Sequence, residues 1–216
     1  MKKIIIFILF LSISKVYSQG IGEIVPDKEP IKFPKNALGF DIMFSEGGFG
    51  LGGFYRKSIT DDFSYFIDLS FSEAKDEKEI EYIDPYDPYG RVFVLGKKNR
   101  IFLIPINVGL HYRLFRKSIT DNLRPYINFG IGPSFVITTP YEREFFNSFR
   151  HATNYITAGG YIGIGANFGI DQKHLIGVNI RYLDVHFFSK GVEGLQNRFK
   201  KDLGGIYITV NIGTMY

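Results

Sequence analysis

The sequence predicts an all-β fold, an eight-stranded antiparallel transmembrane β-barrel, and three observations lead there. The first is alternation. Ile206, Ile208, Val210, Ile212, Thr214 and Tyr216 share one face of an extended segment, and Tyr207, Thr209, Asn211, Gly213 and Met215 share the other. Strict period-two alternation is the pattern of a strand with two unlike faces. The second is the makeup of the less apolar face. It carries Gly, Asn, Ser, Thr and Tyr with a few isolated charges, while Lys57, Glu73, Lys173 and Lys201 stay at segment ends. A face in bulk water would carry Lys and Glu along its length, whereas a crowded eight-stranded interior accepts small and polar side chains. A soluble lipocalin-like barrel also alternates, with its apolar face inward, and it is the less favoured reading. The third is the spacing of connections. Short ones at 58–62, 116–123 and 171–174 alternate with long ones at 74–98, 139–153 and 188–202, as periplasmic turns and outer loops do.

Taken in chain order, residues 1–18 read as a signal peptide. Lys2 and Lys3 precede the apolar run 4–13, and Val16, Tyr17 and Ser18 form a cleavage site before Gln19. That run is too short to span a bilayer. Residues 19–36, with Pro26, Pro30 and Pro34, read as an extended periplasmic N-terminal extension. Residues 37–216 form the outer-membrane barrel domain, with alternating segments near 37–46, 48–57, 63–73, 99–115, 124–138, 154–171 and 174–187 before the C-terminal strand. The first hairpin departs from the loop rule, because its outer turn near 45–48 is very short. The run 91–96 either extends the fourth strand or forms a hairpin within the loop. Pro105, in mid-segment, lacks an N–H for the ladder and predicts a bulge or a local break in pairing. The hexapeptide RKSITD at 56–61 recurs unchanged at 116–121, both times in a predicted periplasmic turn.

Composition narrows the functional classes. The chain has no cysteine, so disulfides, thiolate metal sites and an acylated N-terminal cysteine are excluded. Its net charge of +4 falls to +1 once Lys2, Lys3 and Lys15 leave with the signal peptide, so the basic balance is no sign of nucleic-acid binding. Aromatic residues make up 17% of the chain, which suits a barrel girdled by rings at the membrane interfaces.

The stretch Phe102-Leu103-Ile104-Pro105-Ile106-Asn107-Val108 resembles a motif of the PorT-like outer-membrane β-barrel proteins. Pro125-Tyr126-Ile127-Asn128-Phe129-Gly130-Ile131-Gly132, Gly160-Tyr161-Ile162-Gly163-Ile164-Gly165 and Gly177-Val178-Asn179-Ile180-Arg181-Tyr182 resemble its later strands. The resemblance covers residues 37–216 and rests on structural motifs of moderate specificity. It implies an eight-stranded barrel in the bacterial outer membrane and, for some members, a tie to protein secretion. It supplies no catalytic set.

Three groups of residues are candidates for function. Asp41, Asp68 and Arg181 fall on the lumen-facing positions with Asn107, Asn128, Asn167 and Asn179, and His111 and Arg113 lie nearer one end. Charges in a narrow interior must be paired or hydrogen-bonded, so this lumen polar cluster is expected to be a structural plug. Residues 73–91 hold seven acids against three bases, and they include a tandem Asp-Pro-Tyr. Tyr82, Asp84, Tyr86, Asp87 and Tyr89 are there the expected partner surface, since proline stiffens a chain and tyrosine gives amphipathic contact area. The loop at 188–202 is basic by contrast, so the two loops are expected to pair across the barrel mouth or to meet anionic lipopolysaccharide. His186 and Ser189, near Asp184 and Glu193, are the candidates for a lipid A deacylase type of hydrolase. Their offset of three and the absence of an adjacent His-x-Ser pattern make that the lesser reading. The expectation is therefore a non-enzymatic outer-membrane protein with a structural or partner-binding role in secretion or envelope assembly, needing no cofactor. Its surroundings are outer-membrane lipid and lipopolysaccharide.

Overall fold

The computed structural model describes residues 32–83, 85–86, 88–90, 92–119, 122–169 and 173–216. The expected signal peptide and most of the expected extension lie outside them, as do Asp84 and Asp87. Eight long strands close into an antiparallel barrel: β1 (Asn36–Ser45), β2 (Gly48–Ser58), β3 (Phe63–Ala74), β6 (Asn99–Arg113), β7 (Leu123–Pro140), β8 (Thr153–Phe168), β9 (His174–His186) and β12 (Asp202–Met215). Neighbours in the barrel are neighbours in sequence, and β1 pairs with β12 to seal it. Four short strands form two hairpins inside the outer loops: β4 (Glu81–Ile83) with β5 (Val92–Val94), and β10 (Val192–Leu195) with β11 (Arg198–Lys200). Val92–Val94 thus belongs to a loop hairpin and does not extend β6. A short helix, α1 (Phe145–Ser148), lies in the third long loop.

The two-residue turn at Glu46 and Gly47 is the short outer hairpin. Pro105 produces no bulge. The β3–β6 register is the same on both sides of it, but pairing lapses between Leu69↔Ile106 and Ser72↔Leu103. The missing N–H breaks the ladder without shifting it.

Alternation sorts the side chains as the sequence requires. Phe40, Ile131 and Ile162 point outward and remain 74%, 68% and 65% exposed, while Asp41, Asp68 and Arg181 point inward and are buried. Among the described residues no helix is long and apolar enough to cross a membrane; the crossing is made by strands. Water would not tolerate a continuous outward belt of Ile, Leu, Val and Phe on every strand, and a bilayer requires one. Rings cluster at both edges of the belt. Phe63 and Tyr112 pair at the periplasmic edge (centroids 4.6 Å apart), and Phe44 with Phe49 (5.8 Å) and Phe71 with Phe102 (5.6 Å) pair at the outer edge. Phe102 faces outward yet is buried, because α1 and the turn after it fold over the outside of the wall and stack Phe149 on it at 5.5 Å.

Candidate functional site

The lumen is filled in layers. In the middle, Arg181 on β9 spans the barrel to two carboxylates on other strands. Its Nη1 donates to Asp68 Oδ2 on β3 at 3.1 Å, and its Nη2 to Asp41 Oδ2 on β1 at 3.4 Å. Each acid has a second donor: Asn107 Nδ2 at 3.1 Å for Asp68, and Asn211 Nδ2 at 2.6 Å for Asp41. Tyr126 donates its hydroxyl to Asn211 (3.3 Å) and accepts from Asn179 (3.2 Å), and Asn179 also donates to Asn128 Oδ1 (3.2 Å). The Tyr161 ring lies 5.0 Å from the Arg181 guanidinium, where a cation and a π face attract. Two anions around one cation, each hydrogen-bonded again, is the arrangement that makes buried charge tolerable. Gly163 makes room for it, because a Cβ there would sit 2.6 Å from Asn128 Oδ1 and 2.9 Å from Asn179 Oδ1.

Of the seven lumen residues singled out by alternation, six are brought together in this network. Asn167 is not. It is buried, but it lies toward the periplasmic end with Arg124 and Leu175, because β8 carries it two inward positions beyond Gly163. Sequence reasoning passed over Tyr126, Tyr161 and Asn211, although all three occupy inward positions on strands already assigned. The space left among the network residues is about 20 Å³, enough for about one water and no more.

Above the network the lumen turns apolar. Ile101, Leu103, Val136, Val185, Phe187, Val192 and Leu203 pack together under the outer loops. The loops are stitched to one another over this layer. Lys98 N–H donates to Gly194 C=O (2.8 Å), Gln196 N–H to Gly96 C=O (2.8 Å), and Lys97 bridges Leu195. The opposite charges of the second and fourth loops pair, with Arg198 Nε 2.8 Å from Asp76 Oδ2, Lys200 Nζ 3.4 Å from Glu77 and Lys98 Nζ 2.6 Å from Glu193. Beneath them the Lys97 ammonium is buried 2.7 Å from Glu79 and lies over the Tyr141 ring. The Glu193 carboxyl is held below its ordinary range, first by the Lys98 hydrogen bond and then by the Asn197 N–H. Glu81 is held low by Lys75, whose own ammonium is raised in turn.

Of the expected partner residues, Asp84 and Asp87 lie outside the described residues, and Tyr82, Tyr86 and Tyr89 are exposed. Tyr82 stacks on Phe93 across the β4–β5 hairpin (6.0 Å), while Tyr86 and Tyr89 are 93% and 87% exposed. An acidic cleft of about 630 Å³ at the outer mouth is lined in part by Glu46, Glu77, Glu81, Asp184, Asp202 and Lys200. At the rim, His186 Nδ1 lies 2.5 Å from Asp202 Oδ1 on the outward face. Ser189 lies past the end of β9, and among the described residues no hydroxyl hydrogen-bonds the His186 ring. No group of three metal-ligating side chains occurs among the described residues either.

No family model matches this chain, and no curated protein does. Solved structures similar to it include Neisserial surface protein A (10% identity, TM-score 0.48), covering 83% of this chain and 95% of that one. The outer membrane protein Ail of Yersinia pestis in a phospholipid bilayer nanodisc is similar too (11% identity, TM-score 0.46), over 85% of this chain and 99% of that one. So is the N-terminal β-barrel domain of Pseudomonas aeruginosa OprF (14% identity, TM-score 0.43), over 84% and 98%. The closed antiparallel wall, the lipid-facing belt and the filled polar lumen of this chain define a small eight-stranded barrel of the bacterial outer membrane.

Proposed function

We propose that this barrel is a non-enzymatic anchor that holds a rigid cap of outer loops at the cell surface for a partner in the envelope. The observation that carries this reading is the interlocking of three loops above a lumen with no through-path. A conduit would need continuous space, and about 20 Å³ remains at the middle of the barrel. A binding platform needs ordered loops, and backbone bonds and a buried Lys97–Glu79 pair join these. Exposed aromatics such as Tyr86 and Tyr89 are efficient contact residues. The likeness to PorT-like proteins makes a protein of a secretion or envelope assembly the partner class. The flank carrying Phe145, Phe146 and Phe149 beside Arg143 and Arg150 suits contact with the acyl chains and phosphates of lipopolysaccharide.

Native complexes isolated from outer membranes in mild detergent test the reading, with heat-modifiable gel migration checked on the same sample. A defined partner is expected to co-purify with the heat-shifted barrel and to be lost from a Tyr86→Ser/Tyr89→Ser variant that keeps the shift. A folded barrel that recovers no partner, wild type and variant alike, refutes the partner-binding role.

A further inference from the structure

The periplasmic mouth of the lumen is built unlike the rest. Arg56 enters from β2, His111 and Arg113 from β6 and Arg124 from β7, and all four line one cavity of about 80 Å³. Arg124 is only 8% exposed, yet its Nε and Nη2 have no hydrogen-bond partner, and Nη1 reaches only the Met215 sulfur at 3.3 Å. His111 is buried with Nδ1 unpartnered, and its Nε2 lies 3.4 Å from Arg56 Nη1. The Nε groups of Arg56 and Arg113 are unpartnered as well. Among the described residues no carboxylate stands within ion-pair distance of any of the three guanidiniums. Asp61 and Asp62 also line the cavity, but Arg116 holds them, at 2.5 Å and 3.8 Å. The lumen acids Asp41 and Asp68 are both committed to Arg181, with Asn211 and Asn107 as their second donors.

Burying a cation without a counter-charge is costly, and three together repel one another. The middle of the same barrel shows how this fold treats a structural arginine: two acids surround it. The mouth instead supplies planar donors, an imidazole and two aromatic faces. Phe33 lies 3.9 Å from the Arg124 guanidinium and Tyr126 4.1 Å from the His111 ring. Converging guanidinium forks suit the oxygen pairs of a phosphate or carboxylate. The cavity also has an approach from the periplasm, a wider depression of about 250 Å³ lined by Lys32, Lys35, Arg113 and Arg116.

We infer that the periplasmic mouth is an oxyanion site, in which Arg56, Arg113, Arg124 and His111 hold one phosphate or carboxylate group presented from the periplasm. The group comes from a free ligand or from an acid of the chain's own N-terminal extension, which holds Glu23, Asp27 and Glu29.

The test is calorimetric titration of the full chain in detergent micelles with inorganic phosphate, at ionic strength held constant with sodium chloride. Saturable binding is expected, weakened at least tenfold by Arg124→Gln and less by Arg124→Lys, which keeps the charge but loses the fork. Because Arg124 is buried, Arg113→Gln at the outer lip of the cavity is titrated beside it and is expected to weaken binding as well. Phosphate binding that is absent from the intact chain but appears in a Glu23→Gln/Asp27→Asn/Glu29→Gln variant assigns the oxyanion to the extension and supports the site. No saturable heat in either chain, or equal affinity in wild type and all three arginine variants, overturns it.

Discussion

At the outer mouth every buried charge answers another: Lys97 meets Glu79, Arg198 meets Asp76, and the loops that carry them are bonded backbone to backbone over an apolar layer. At the periplasmic mouth three guanidiniums converge with no carboxylate among the described residues to meet them. The two ends of one lumen therefore differ in what they ask of the surroundings. The outer end is self-sufficient and presents a finished surface. The periplasmic end is complete only with an anion. The middle, where Arg181 sits between Asp41 and Asp68, is the standard against which both ends are judged.

That contrast can be broken from either side. The largest effect belongs to the middle. Arg181→Met leaves two buried carboxylates facing each other, and removing one partner from a buried ion pair costs about 3–5 kcal/mol. Urea unfolding in lipid vesicles, followed by the heat-modifiable band, is expected to show a loss of that size. A change below about 1 kcal/mol would mean the network is filler and not a plug, the scale being that of an ordinary hydrogen bond. Next is Leu103→Ala, which empties the apolar layer beneath the cap and is expected to cost about 2–5 kcal/mol in the same assay. Smaller again is Arg198→Ala. It strips the counter-charge from Asp76, whose side chain is fully buried, at about 1–3 kcal/mol for a buried acceptor left unmet. Lys200→Ala, whose partner Glu77 is largely exposed, is expected to change nothing measurable.

Acid separates the two mouths more finely. Folding lowers the pKa of Glu193, through Lys98 and the Asn197 N–H, and that of Glu81 through Lys75. A lowered carboxylate contributes stability that is fully present above its unfolded pKa, about 4.3 for Glu, and is lost as pH falls through the lower folded value. Amide hydrogen exchange of Asn197 is therefore expected to hold steady down to about pH 5 and to speed up below about pH 4, relative to its intrinsic rate. Protection unchanged through pH 3 would show that the loop contacts do not depend on that carboxylate.

The wall was legible from residues alone because alternation writes it directly. Each of the eight strands lies within a few residues of its predicted bounds, and the outward positions are the lipid-facing ones. The cap was less so. Its apolar floor uses Ile101, Leu103 and Val136 on inward positions, in runs such as Ile101-Phe102-Leu103-Ile104 where both faces are apolar and alternation does not tell inward from outward. The signal was the failure of alternation at the outer ends of the strands. The two loop hairpins, three or four residues per strand, are too short for periodicity to mark. At the periplasmic mouth the hexapeptide repeat concealed a difference. Arg56 of the first copy is inside the barrel on β2, whereas Arg116 of the second lies beyond the end of β6 and pairs with Asp61 of the first copy. Identical residues thus line the cavity in one copy and hold its lip in the other, since β6 ends before its repeat begins and β2 runs into its own.

The seam between β1 and β12 also bears on how the molecule is made. Asn36 N–H donates to Tyr216 C=O at 3.0 Å and accepts the return bond at 2.9 Å, so the first and last strands are stitched only after all the others exist. Closing so long a loop gives a high contact order and slow folding. Until then the two open edges cannot enter hydrocarbon, where unmet backbone groups are intolerable. Assembly is thus gated by arrival of the final strand, and a nascent chain lacking β12 has no stable half-inserted form in which to wait.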